Sequence, residues 1–185
     1  MKQIVQNLKS GKMEIVDVPT PSISKGNVLV RNYYSLISAG TEESKVSTAR
    51  KGYIAKAKEK PDQVKQVLDT LKKEGFSSTY SKVMNKLDAL YPLGYSTSGE
   101  VIKVGEGVTR FRVGDMVACA GADMANHAEV VSIPENLVVK IPNGVTAKDA
   151  SYSTVASIAM QGVRQADLRL GENCVVIGLG LLGQL

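Results

Sequence analysis

Cysteine and histidine are scarce in this chain. Only Cys119, Cys174 and a single histidine, His127, occur among 185 residues, which excludes a disulfide-stapled secreted scaffold and a four-cysteine zinc site. Long apolar runs are missing as well. The opening stretch from Met1 to Lys9 lacks an apolar core of signal-peptide length, and no segment approaches the roughly 20 apolar residues of a membrane span. A reducing cytoplasm is the expected location, with no membrane partner. What the chain does have is 43% hydrophobic and 22% charged residues. That balance describes a soluble globular protein of one or two domains, at roughly 100–200 residues per domain.

The formal net charge is +5, which taken alone points to an anionic partner. Its distribution says otherwise. From Val46 to Leu90 there are 10 Lys or Arg against 5 Asp or Glu, and the rest of the chain carries 13 of each. The whole surplus therefore belongs to one segment. Its aromatics, Tyr53, Phe76 and Tyr80, are too sparse to suggest stacking on bases, so nucleic acid is not the expected partner. A lid over a site, an oligomer contact or an anionic substrate accounts better for the charge.

Hydrophobic periodicity divides the chain into four parts. Lys12–Val18 alternates apolar and polar up to Pro19 and Pro21, and Asn27–Tyr34 follows the turn signal Lys25-Gly26, so these two runs read as paired strands. Between Val46 and Leu90 the period becomes helical. Pro61 suits a first helical position, with Val64, Val67, Leu68 and Leu71 on one face until Gly75; a second helix from about Ser81 has Val83, Leu87 and Leu90 as its stripe. Short strands return at Gly99–Gly105, Val113–Ala118, Ala128–Val131 and Leu137–Pro142, the pattern of a small barrel or sandwich. Finally, Thr146-Ala147-Lys148-Asp149 reads as a capping box. Ala150, Thr154, Val155, Ile158, Ala159 and Gly162 continue at helical spacing.

After Leu170-Gly171, Cys174-Val175-Val176-Ile177 has the composition of a buried strand and runs into Gly178-Leu179-Gly180-Leu181-Leu182-Gly183. In a dinucleotide fold the first glycine of such a triplet makes the tight turn. The second lets backbone approach a pyrophosphate, and the third allows close helix–strand packing. Gly178, Gly180 and Gly183 are thus candidate cofactor-binding residues. The helix that should follow, and the acidic residue about 20 positions on that would bind a ribose, are expected to lie beyond this chain.

The order of these parts carries a resemblance. Ala39-Gly40-Thr41-Glu42, then Gly94-Tyr95-Ser96-Thr97-Ser98-Gly99-Glu100-Val101, Gly105-Glu106-Gly107-Val108, Phe111-Arg112-Val113-Gly114-Asp115-Met116-Val117 and the glycine triplet together resemble the medium-chain dehydrogenase/reductase superfamily of the zinc alcohol dehydrogenase type. The finer likeness is to bidomain oxidoreductases of bacterial surface-polysaccharide gene clusters. The fold implied is α+β: a GroES-like β-barrel catalytic domain over 1–145 with a helical insertion at 46–90. Residues 146–185 would supply a linking helix and the truncated start of a Rossmann α/β domain.

The departures from that pattern bear on chemistry. Catalytic zinc needs three ligands of Cys, His or carboxylate type and an open position. The resemblance puts the first ligand at Ala39, beside Ser38, and the second at Tyr95, while the third falls where only Thr154 and Ser157 offer oxygen. No zinc is expected. Tyr95 can then donate a hydrogen bond to a substrate oxygen, or merely fill the space a metal would take, and the sequence leaves both open. Thr41 matches the hydroxyl that relays a proton in the zinc enzymes, and Glu42 matches a neighbouring acid. Cys119 and Cys174 read as core residues and His127 as packing on the barrel.

The function implied is hydride transfer between NAD or NADP and an alcohol or carbonyl of a small, sugar-derived or anionic substrate, in a parent protein that is a homo-oligomer. This stretch alone is expected to fold without activity. The competing class is a non-catalytic module whose basic insertion holds an anionic ligand or partner.

Overall fold

A computed structural model of the chain describes residues 1–7, 10–42, 65, 69, 71–73, 75–76, 78, 80, 84 and 89–185. The chain divides into two compact units. One comprises Met1–Gln3, Asp17–Ser38 and Gly94–Leu185, the other Ile4–Val16 and Ala39–Leu93.

In the first unit, β3 (Asn27–Ser35), β5 (Ser96–Val104), β6 (Met116–Ala120), β7 (Val130–Pro134) and β8 (Val138–Lys140) form one antiparallel sheet in the order β7-β3-β5-β6-β8. Alternation explains the core: Val28, Val30, Val101, Val117 and Ile133 are fully buried and cluster with Phe111 and Cys119. Each such side chain contributes about 1.5–3 kcal/mol by leaving water. β5 starts three residues earlier than its apolar pattern, at Ser96. The reason is local: Ser96 Oγ donates to the Ser151 carbonyl at 2.6 Å, and Ser98 Oγ donates to the Ala147 carbonyl. Hydroxyls with carbonyl partners can be buried cheaply, and here they tie β5 to the first helix.

That helix, α1 (Ala147–Ala150), is capped as its sequence predicts. Thr146 Oγ1 accepts from the Asp149 N–H at 3.1 Å and donates to Asp149 Oδ2 at 2.7 Å. The helical spacing expected across Ala150 to Gly162 is interrupted, because Ser151 and Tyr152 separate α1 from α2 (Ser153–Gln165). Only Val155 of α2 is buried.

The Val113-Gly114-Asp115 turn has a physical rationale. Gly114 sits at φ +91°, a left-handed conformation that favours glycine. Asp115 accepts from Lys140 Nζ at 2.8 Å and from the Arg112 N–H at 2.9 Å, and these bonds, the lysine's first, hold its carboxyl below the usual carboxylate range. A carboxyl depressed in the folded state contributes stability that is present above its unfolded value, near 3.9, and lost as pH falls through the folded value. Asp115→Asn is expected to cost about 1 kcal/mol at neutral pH and to shrink the loss of stability below about pH 4. Urea titrations at several pH values measure both, and a variant with an unchanged acid limb would contradict the assignment.

In the second unit, β1 (Lys2–Asn7), which begins in the first, lies between β2 (Met13–Asp17) and β4 (Leu90–Pro92). Two expectations are corrected here. Lys12–Val18 and Asn27–Tyr34 are not paired with each other: β2 pairs with β1, whereas β3 is flanked by β5 and β7. Pro19 and Pro21 end β2 without a hairpin turn, so nothing local brings the two runs together. Leu90 closes no helical stripe, because Leu90, Tyr91 and Pro92 pair with Asn7, Gln6 and Val5. Pairing with a strand distant in sequence overrides a spacing that three or four residues can satisfy by chance.

The expected helices between Pro61 and Leu90 are only partly covered. Pro61, Val64, Val67, Leu68, Ser81, Val83 and Leu87 lie outside the described residues. Lys65, Asp69 and Leu71–Lys73 are helical, and Gly75, at φ +82°, donates its N–H to the Leu71 carbonyl, the C-terminal stop its position predicts. Phe76, Ser78, Tyr80 and Met84 are helical too, so helical structure resumes before Ser81.

Cys174–Ile177 is also corrected. It forms no strand, and Val175 and Ile177 are 81% and 96% exposed. A strand of this composition is stable only when paired in a sheet covered on both faces, and no described residue pairs with it. Cys174 is accordingly exposed rather than in the core.

Candidate functional site

Tyr95 occupies the bend that leads into β5 and is half-buried. The chain can make this bend because Gly94 lies at φ +94°. A Cβ there would sit 2.7 Å from the His127 backbone nitrogen and 2.8 Å from its Nδ1. Gly94 is therefore required twice, for its backbone angle and for the close approach of His127. On its other side the Tyr95 carbonyl accepts from the Gly121 N–H at 3.0 Å. The backbone is thus fixed at two consecutive residues, Gly94 against His127 and Tyr95 by the Gly121 N–H.

His127 is 6% exposed, and its Nδ1 lies 2.9 Å from Ser35 Oγ. Its ring packs on the Gly94 backbone, as its place in the sequence suggested, and among the described residues it joins no metal-holding group. Cys119 is fully buried on β6, where burial pushes its thiol up to about 12 against a smaller lowering by Thr97. Such a thiol is neither a nucleophile nor a ligand at neutral pH.

Thr41 and Glu42 lie in a helical stretch, 39–42, of the second unit, with Thr41 exposed and Glu42 buried. Tyr95 belongs to the first unit, so the candidates are divided between two bodies. Among the described residues no three His, Cys, Asp or Glu side chains form a metal-holding group. The positions where the resemblance puts the first two ligands present the methyl of Ala39 and the phenol of Tyr95, donors that do not suit zinc.

The glycine turn is formed at the end of the chain. Gly178 adopts φ +105°, and a Cβ on Gly183 would lie 1.9 Å from the Gly178 carbonyl oxygen. Nothing lies within 4 Å of a Cβ built on Gly180, whose carbonyl accepts from the Gln184 N–H. Gly178 thus has the φ of a tight turn, Gly180 an open Cβ position and Gly183 a close approach to the Gly178 carbonyl. A helix does follow the turn within the chain, contrary to expectation: α3 (Leu181–Gln184), starting at Gly180.

Two contributors are not apparent from sequence spacing. Ser35 ends β3, and Gly121 begins the β6–β7 connection; their links to His127 and Tyr95 cross 92 and 26 residues respectively. Only Gly121's own φ, +125°, left a trace, as a glycine following a strand.

Residues 74–143 match the family model described as the alcohol dehydrogenase GroES-like domain. D-guloside 3-dehydrogenase of Escherichia coli (strain K12) is 35% identical over 95 residues, covering 51% of this chain and 27% of the relative. The (R,R)-butanediol dehydrogenase of Bacillus subtilis is 29% identical over 116 residues, covering 50% and 34%. Galactitol-1-phosphate dehydrogenase from Escherichia coli shares the fold at a TM-score of 0.70 and 17% identity, over 99% of this chain and 50% of that one. The chain thus spans about a quarter to a third of these curated relatives and half of the solved structure. A barrel sheet with Gly94-Tyr95 at the start of β5, the Val-Gly-Asp turn ahead of β6 and a glycine-rich turn at 178–183 stand beside these matches: residues 74–143 carry an alcohol dehydrogenase GroES-like domain, and the chain is similar to medium-chain dehydrogenases/reductases.

Proposed function

We propose that this chain supplies the catalytic domain of an NAD(P)-dependent oxidoreductase that interconverts an alcohol and a carbonyl on a sugar-derived substrate without zinc. The observation that carries it is Tyr95, whose backbone is fixed by the Gly121 N–H next to a Gly94 packed against His127, at the position where the resemblance puts a histidine ligand in zinc members. The names of the relatives, a guloside 3-dehydrogenase and a butanediol dehydrogenase, support oxidation at a hydroxyl-bearing carbon. The nicotinamide cofactor, when bound, accepts or returns the hydride.

The chain's own residues do the rest. Gly178, Gly180 and Gly183 hold the pyrophosphate against open backbone. Tyr95 donates a hydrogen bond to the substrate oxygen, stabilising the negative charge that develops there as a carbonyl is reduced. Thr41 and Glu42 carry the proton to and from solvent. The basic segment 46–90 suits an anionic substrate, the feature on which the competing view of a non-catalytic binder also rests.

The deciding experiment uses a chain that carries the complete nucleotide-binding half, with glycosides and polyols offered alongside NAD and NADP. Formation of reduced nicotinamide is expected, unchanged after exhaustive dialysis against a chelator. Loss of turnover on chelation, with recovery on adding zinc, would refute the metal-free mechanism. No turnover with either cofactor, together with salt-sensitive binding of a polyanion, would favour the binding module instead.

A further inference from the structure

Two residues in the second half of β3 hold the segment 126–128, one by its backbone and one by its ring. Asn32 Nδ2 donates to the carbonyls of Asn126 and Ala128, at 3.3 and 2.8 Å, and the Asn32 N–H donates to the Glu129 carbonyl at 2.9 Å. The peptide groups on either side of His127 are thus tied to one strand. The imidazole is tied separately, by the 2.9 Å contact of its Nδ1 with Ser35 Oγ. Ser35 is exposed, so water can serve its hydroxyl, whereas the ring is buried and gains more from the bond.

What the ring is held against is the turn into β5. A Cβ on Gly94 would lie 2.7 Å from the His127 backbone nitrogen and 2.8 and 2.9 Å from Nδ1 and Cε1 of the ring. Backbone and imidazole together therefore close one side of that turn. The turn, at φ +94°, sets the direction in which the chain enters Tyr95, and the Gly121 N–H fixes the Tyr95 carbonyl just beyond it. All of these residues lie in the first unit. The phenol stands at the far end of a long side chain, so a small rotation of the backbone at 94–95 is magnified at its oxygen. A misplacement of about 1 Å at a reacting group can cost about a hundredfold in rate.

We infer that Ser35 and His127 are a positioning pair for Tyr95: the hydroxyl holds the imidazole against Gly94, and the imidazole fixes the turn that directs the phenol. The inference rests on the reading of Tyr95 as the hydrogen-bond donor to the substrate oxygen. Neither Ser35 nor His127 touches substrate; both act through Gly94.

The test is a double-mutant cycle in a chain that carries the complete nucleotide-binding half, joined to fluorine NMR of the same chain labelled with fluorotyrosine. Loss of one signal in Tyr95→Phe identifies Tyr95. Ser35→Ala is expected to lower kcat at least about threefold with KM little changed, and to move or broaden the Tyr95 signal. Ser35→Thr keeps the hydroxyl and should restore both. In the Tyr95→Phe background Ser35→Ala should have no further effect, because no donor is left to direct. An equal fall in kcat in both backgrounds would overturn the inference, as would a lower melting temperature with kcat and the Tyr95 signal unchanged, the mark of a merely structural bond. Full turnover in Tyr95→Phe alone would overturn the underlying reading and the inference with it. Low turnover in Tyr95→Phe, with kcat and the Tyr95 signal untouched by Ser35→Ala, would overturn the inference alone.

Discussion

Gly99→Ala is expected to destabilise the first unit by about 3 kcal/mol or more, well above the effect of a typical point substitution. Gly99 lies in β5 with neighbours on both sides, opposite Asn32 of β3 and Val117 of β6. A Cβ there would come within 1.9 Å of the Arg31 carbonyl oxygen. The obstacle is backbone, not the flexible end of a side chain, so relief requires β3 and β5 to separate in the middle of the sheet. The register already shifts between Asn32 and Tyr34, which indicates that the two strands accommodate each other closely here. Gly162→Ala is the natural control. Nothing lies within 4 Å of its Cβ position in α2, and alanine in a helix interior gains roughly 0.5–1 kcal/mol over glycine. Urea unfolding of the two variants should move the midpoint in opposite directions, and a Gly99→Ala midpoint equal to the parent's would contradict the close approach.

This contrast also shows what sequence can and cannot reveal. A glycine that interrupts a pattern is visible from that pattern, and Gly26 and Gly75 were legible for that reason, whereas Gly114 was read within a strand. Gly99 looks like a strand residue that lost its side chain, and its purpose appears only when β3 is laid beside it. The strand pattern and the Thr146 capping box were readable because both are local: alternation and a three-residue spacing fix them. The partners of β2, the strand identity of Leu90 and the unpaired state of Cys174–Ile177 were not, since each depends on which segment arrives alongside. For the site, the same division holds. Tyr95 stood out as a departure from a resembled pattern, whereas Ser35, Gly121 and Asn32 come from contacts that no spacing encodes.

Tyr95→Phe, measured in a chain with the complete nucleotide-binding half, is expected to lower turnover at least about tenfold, the loss of a general acid or oxyanion donor being worth more than that in many enzymes. KM should change little. A hydrogen bond that strengthens as charge develops on the substrate oxygen acts on the transition state, so kcat and kcat/KM fall together. Stability should also change little, because phenylalanine keeps the ring and the Gly121 N–H bonds the backbone carbonyl rather than the phenol. The two roles left open for this residue therefore separate cleanly. A tyrosine that only fills the space of an absent metal predicts full turnover in Tyr95→Phe and a loss in Tyr95→Ala, where the ring itself is gone. A tyrosine that works on the substrate predicts low turnover in both, with melting temperature preserved in the phenylalanine variant. Unchanged turnover with phenylalanine would remove Tyr95 from the mechanism and leave the stabilisation of the substrate oxygen to Thr41 or to a group outside this chain.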